Sequence, residues 1–207
     1  MKNTHLGKTL TQILSVLLCA TVVIMIACCF HPYFSIEKPY HFILNPNPKT
    51  DYYSLIDVMW CNTQPQDDGN MNVSTDFSVD IIRNHFEEQY SNFDFNKYIT
   101  NMVLSFIFAL ATVATSVWFA FNEYKHYPSM TSGVFSHIAA FGYTLFGMLG
   151  YASNDMLSLS VPAFAYVRTL IVIVLAVGLL LTIARFVVWL LTTIQLAKER
   201  KARLALL

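Results

Sequence analysis

"VRTLIVIVLAVGLLLTIARFVVWLL", residues 167–191, decides the fold of this chain. A helix rises 1.5 Å per residue, so such a run spans roughly 37 Å and exceeds the ~30 Å hydrocarbon core of a bilayer. Three further windows meet the same criterion, at 10–30, 100–121 and 131–152, and the second and third spans contain no charged residue. Across its 207 residues the chain is 55% hydrophobic and 13% charged, where a soluble domain carries about 25% charged residues. These properties exclude a soluble globular protein and predict four membrane-spanning helices. The first window reads as an anchor rather than a cleaved signal. Its apolar core is longer than a signal h-region, and no small-x-small cleavage site precedes the polar segment.

Charge is segregated along the chain, and that segregation predicts orientation. The segment 31–99 holds four basic residues against ten acids, a net of −6. Lys2 and Lys8 precede the first span, and Lys198, Arg200, Lys201 and Arg203 stand against Glu199 after the last. By the positive-inside rule both ends are cytoplasmic, which an even number of spans permits. The expected layout is a cytoplasmic tail at 1–9, a span at 10–30 and an extracellular or lumenal loop domain at 31–99. A span at 100–121, a cytoplasmic turn at 122–130 and a span at 131–152 follow. An outer loop at 153–166, a span at 167–191 and a basic cytoplasmic tail at 192–207 complete it. The sequon Asn72-Val73-Ser74 falls in the segment assigned to the outside, making Asn72 a glycosylation candidate.

Arg168 and Arg185 interrupt the last window. Sixteen uncharged residues separate them, about 24 Å of helix, so each is expected near a margin of the hydrocarbon and able to snorkel toward head groups. Glu123 is the candidate ion-pair partner of Arg185, and Asp155 that of Arg168. Two marginal arginines carry too little intramembrane charge for a voltage sensor. Trp189 suits the interface belt.

In the third span Ser132, Ser136, Ala140 and Thr144 recur every four residues, and Thr112, Ser116 and Ala120 form a similar line in the second. Small residues let helices approach closely in lipid, where packing drives association. The reading is a compact four-helix bundle, with a homo-oligomer interface along the third-span stripe as the alternative. Gly142, Gly147 and Gly150 add points of close approach. His137, alone at membrane depth, reads as a hydrogen-bonded packing residue, because no second ligand stands at metal-binding spacing.

The 69-residue outer segment is rich in strand formers at 40–44 and 51–61, separated by the turn "NPNP", and becomes helical in pattern from Ser78. The fold class is therefore an all-α membrane protein, a four-transmembrane-helix bundle with a small extracellular β-plus-helix cap between helices 1 and 2. Cys61 stands alone in the loop; a bridge to Cys28 or Cys29 is open to it in an oxidising compartment.

With a short inner N-terminus, a long first outer loop, a short second one and a basic tail, the chain resembles the superfamily of claudins, peripheral myelin protein and calcium-channel gamma subunits. "TDYYSL" at 50–55 is similar to the aromatic strand of the gamma-subunit branch, and "MWC" at 59–61 partly matches the superfamily's Gly-Leu-Trp-and-cysteine signature. The Gly-Leu-Trp itself and the second loop cysteine are missing. The resemblance implies adhesion, paracellular barrier formation or modulation of a channel or receptor, without catalysis.

Function is thus expected from a non-enzymatic integral membrane protein with no cofactor. It would reside in the plasma membrane and act through its outer loop, as a junction component or as an auxiliary subunit of a channel or receptor. Tyr52, Tyr53 and Trp60 are candidate partner-binding anchors, weighed against a role in the core of the cap. The alternative is an oligomeric pore or transporter subunit, in which acids such as Asp57, Asp67 and Asp68 would set ion selectivity. The expected partners are the lipid bilayer and another membrane protein, or a further copy of the chain, and no nucleic acid. No paired acids, CxxC or phosphate-binding loop supplies a catalytic mechanism.

Overall fold

The computed structural model describes residues 2–38, 49–56, 59, 94–122, 130–158 and 162–204. The helices are α1 (Lys2–Cys29), α2 (Phe95–Asn122), α3 (Met130–Gly150), the short α4 (Asn154–Ser158) and α5 (Ala165–Leu204). A 3-10 turn at Pro162–Phe164 leads into α5. Four of these helices, α1, α2, α3 and α5, are long and apolar enough to cross a membrane. The helical structure outruns the predicted spans toward both termini. α1 begins at Lys2 and α5 continues without a break to Leu204.

The long helices close into a ring in the order α1, α2, α3, α5, each packed on its two neighbours. Large aliphatic and aromatic side chains point outward, among them Val16, Val23, Trp118, Phe135, Leu145 and Leu180. That is the surface expected where lipid tails replace water. Several hydroxyl side chains inside the spans satisfy themselves locally. Thr11, Ser15, Thr112, Thr144, Thr182 and Thr192 each donate to the carbonyl four residues earlier, at 2.7–3.2 Å for the set. This back-bonding lets polar residues sit in an apolar helix without an orphaned O–H.

The small-residue stripe is used inside the bundle. Ser136, Ala140 and Thr144 are fully buried there, so this face is unavailable to a second copy; the side chain of Ser132 lies outside the described residues. Glycines make the closest approaches. Gly133 lies under the Trp189 indole, Gly142 under the Phe108 ring, and Gly150 against the Met102 backbone. Phe108 in turn stacks on Phe146 with centroids 5.5 Å apart.

At the end of α1 the chain enters strand β1 (Pro32–Lys38), which pairs antiparallel with β2 (Lys49–Ser54); Ser35 stands opposite Tyr52 and Phe34 opposite Tyr53. The first strand therefore lies upstream of the strand expected at 40–44, which falls outside the described residues. The second expected strand ends early, because residues 55–56 and 59 are helical. The helical part of the anticipated cap, from Ser78, also lies outside the described residues. α2 starts at a capped turn, where Asp94 Oδ1 accepts from the Lys97 amide at 3.1 Å.

Candidate functional site

Among the described residues, two places concentrate polar groups: the interior of the bundle around Arg185, and the seam where the strand pair meets the helices.

Sequence reasoning expects Arg185 at a lipid margin, snorkelling to head groups. It is instead fully buried in the centre of the bundle. One guanidinium nitrogen, Nη1, donates to Ser116 Oγ on α2 at 2.8 Å. The other, Nη2, donates to both the backbone carbonyl and the hydroxyl of Ser136 on α3, each at 3.0 Å. Ser136 Oγ donates onward to Thr115 Oγ1 at 3.1 Å. The guanidinium carbon lies 5.8 Å from the Phe119 ring centroid, within cation–π range. Cys19 of α1 is beside Ser116 and Arg185, so all four spanning helices meet here. A planar fork carries its donors on separate nitrogens in a fixed geometry and so addresses two helices at once, where a lysine would have to reach both from a single nitrogen. Glu123, the anticipated partner, lies at a position outside the described residues.

His137 occupies the adjoining turn of α3 and is buried. Its ring lies against Phe119, Phe186 and Trp189, at centroid distances of 6.4, 5.3 and 5.1 Å. It is a packing residue, as expected, but neither ring nitrogen has a hydrogen-bond partner among the described residues. Trp189, anticipated in the interface belt, is buried beside it and covers Gly133. Among the described residues no group of three His, Cys, Asp or Glu is placed to hold a metal.

A second diagonal contact lies toward the strand end. Tyr143 of α3 reaches across to α1 and donates to the Thr21 carbonyl at 3.4 Å, while Ser105 of α2 donates to the Tyr143 carbonyl at 3.1 Å.

The seam is built on two tyrosines. Tyr33, the second residue of β1, is buried and donates to the Met156 carbonyl of α4 at 3.2 Å. Tyr151, just past α3, donates to the Met102 carbonyl at 3.0 Å, with Met59 Sδ at 3.7 Å from its hydroxyl. Leu55 and Met59, which follow β2, are buried in the same core cluster as Met102, Tyr151 and Met156. On the rim His31 Nε2 meets the Tyr166 hydroxyl at 2.7 Å, and Phe164 packs edge-on to His31. The base of the segment between α1 and α2 is therefore part of the bundle core rather than a tether.

Of the other anticipated site residues, Tyr52 and Tyr53 are in β2, with side chains outside the described residues. Trp60 and Asn72 lie outside the described residues altogether. Arg168 is exposed and donates to the Leu157 carbonyl at 3.5 Å; Asp155 is in α4, its side chain outside the described residues. Cys19, Cys28 and Cys29 are free thiols, and Cys61 lies outside the described residues. Sequence reasoning misses the buried tyrosines that bond between elements, Tyr33, Tyr143 and Tyr151. For Tyr33 and Tyr151 the one signal is a polar hydroxyl at the border of an apolar run, which interfacial tyrosines share, and Tyr143 lies in mid-span. Compared with family models, with curated proteins and with solved structures, the chain matches none.

Proposed function

We propose that this chain is a non-enzymatic membrane protein that acts through the segment between α1 and α2, as a junction component or as an auxiliary subunit of a channel or receptor. The observation that carries the reading is the seam: Tyr33, Leu55 and Met59 are buried in the bundle core. A segment fixed at its base presents its surface in a defined orientation to a neighbouring protein, and preorganisation of that kind lowers the ordering cost of binding. The charge distribution supports placing this segment outside, glycosylated at Asn72, with both termini in the cytoplasm and the protein in the plasma membrane. The overall layout supports kinship with the claudin and gamma-subunit superfamily. Arg185, Trp189 and Tyr143 fill the interior of the bundle, which weighs against conduction through a single copy.

The test is native purification in mild detergent, with the stoichiometry of co-purifying proteins read by mass spectrometry for the wild type and for a Tyr52→Ala, Tyr53→Ala, Trp60→Ala variant. A membrane protein present at fixed ratio with the wild type and lost from the variant supports the reading. A partner retained at full ratio by the variant counts against it, and copies of the chain alone, with no other partner, overturn the auxiliary-subunit reading and leave self-assembly as the mode of action.

A further inference from the structure

The end of the bundle opposite the strands carries a feature that the proposed function does not use. α5 continues as one helix beyond the other spans, and its lipid-facing apolar side chains run through Leu190, Leu191 and Ile194, each at least 36% exposed. The first charge after Arg185 is Lys198, followed in sequence by Glu199, Arg200, Lys201 and Arg203. Measured along the axis, Lys198, Arg200 and Lys201 lie about 6, 9 and 10.5 Å past Ile194. The head-group layer occupies roughly 5–8 Å on each side of the hydrocarbon, and the flexible stems of Lys and Arg reach back toward it. All three of these side chains are exposed.

The start of α1 joins the same end. Gly7 lies directly against Thr192 of α5, which fixes the two helices in depth: at 1.5 Å per residue the exposed His5 comes level with about Ile194, and position 2 nears the level of Lys198. The two helix ends together hold six Lys and Arg against the single acid Glu199.

The azimuths of the charges identify the partner. At about 100° per residue, and with Lys198 as origin, Arg200, Lys201 and Arg203 fall near 200°, 300° and 140°. The four basic positions are therefore spread around the helix axis instead of forming a stripe, and the widest gap between them holds the half-buried Glu199. A protein with an acidic face would meet only one or two of these cations at a time. A layer of anions surrounding the helix meets them all.

We propose that this collar binds the anionic phospholipid head groups of the adjoining leaflet. Each cation near such a surface strengthens association up to about fivefold, and the attraction is screened by salt.

The experiment reconstitutes the full chain into phosphatidylcholine vesicles and compares spin-labelled phosphatidylserine with spin-labelled phosphatidylcholine by the fraction of each lipid immobilised on the protein. The wild type should favour phosphatidylserine several-fold at low salt. That preference should fall toward parity in about 1 M salt and in the K198Q/R200Q/K201Q/R203Q variant. These positions lie past Ile194 on α5, where Lys198, Arg200 and Lys201 are exposed, so the variant should keep the wild-type unfolding midpoint in detergent. An Arg168→Gln variant, altered at the other end of α5, should keep the preference. Equal preference in the wild type and the quadruple variant overturns the proposal, as does loss of the preference in Arg168→Gln alone.

Discussion

Arg185 on α5 donates to the Ser116 hydroxyl on α2 at 2.8 Å, across a diagonal of the bundle whose two helices are not ring neighbours. The same guanidinium holds Ser136 on α3, so one side chain fixes three helices relative to one another. Hydrogen bonds to charged groups contribute about 1.5–3 kcal/mol in water-soluble proteins, and polar contacts within membranes average nearer 0.6 with a maximum near 1.7. Ser116→Ala is therefore expected to cost about 1–2 kcal/mol, measured by unfolding in mixed detergent micelles. In the Arg185→Leu background the same substitution should cost close to nothing. Equal costs in the two backgrounds would show that the bond contributes no coupling. Arg185→Lys should also destabilise, because a single ammonium lacks the fork that spans Ser116 and Ser136.

Three glycines should respond to a methyl group in a graded way. A Cβ on Gly150 would lie 2.9 Å from the Met102 amide nitrogen and 3.2 Å from the Asn101 carbonyl carbon. Backbone atoms yield poorly, so Gly150→Ala should lose roughly 1–3 kcal/mol. Gly133→Ala would drive the Trp189 indole from its seat and should change tryptophan emission as well as stability. At Gly178 the nearest atom would be 3.4 Å away, and Gly178→Ala should be neutral or gain up to about 1 kcal/mol from helix propensity. The order of the three unfolding midpoints checks the packing.

Removing the Tyr33 hydroxyl should loosen the strands without unfolding the helices. Tyr33→Phe deletes the bond to the Met156 carbonyl, an effect of about 1 kcal/mol. Hydrogen exchange should accelerate in β1 and β2 and stay unchanged in α2 and α3. Tyr151→Phe deletes the bond to the Met102 carbonyl inside the bundle and should lower the global unfolding midpoint. Uniform acceleration across the helices in Tyr33→Phe would show that the seam is not a separable joint.

His137→Leu should keep or raise stability. Both ring nitrogens lack hydrogen-bond partners among the described residues, and an apolar side chain removes that desolvation cost while keeping contact with Phe119, Phe186 and Trp189. A loss above about 1 kcal/mol would reveal a polar role that the packing does not account for.

Much of the bundle is legible in the sequence because lipid imposes a length and a composition on each span. The four windows, the close-approach glycines and the buried stripe of Ser136, Ala140 and Thr144 follow from those constraints. The placement of Arg185 does not, because counting residues from the margins gives depth and leaves azimuth undetermined. Its face is set by the acceptors on α2 and α3, which only the packed bundle brings together. Trp189 escapes for the same reason: an indole suits an interface and also covers a glycine. Between α1 and α2, strand β1 is hidden because it starts only two residues after the helix ends at Cys29, upstream of the strand-rich run at 40–44 that draws the eye. Tyr33 at the seam shows how one hydroxyl at the end of an apolar run can decide where the next element docks.

Arg185 also bears on how the chain is made. Its acceptors, Ser116 and Ser136, belong to the second and third spans, and the arginine arrives with the fourth. Ribosomal synthesis therefore lays down the acceptors before the cation that needs them. A fourth span inserted without its companions would expose an arginine to lipid, at a cost that reaches roughly 2.5–3.5 kcal/mol at mid-bilayer and is smaller toward a margin. Assembly relieves that cost, so the arginine reports, from inside the membrane, whether the other helices have arrived.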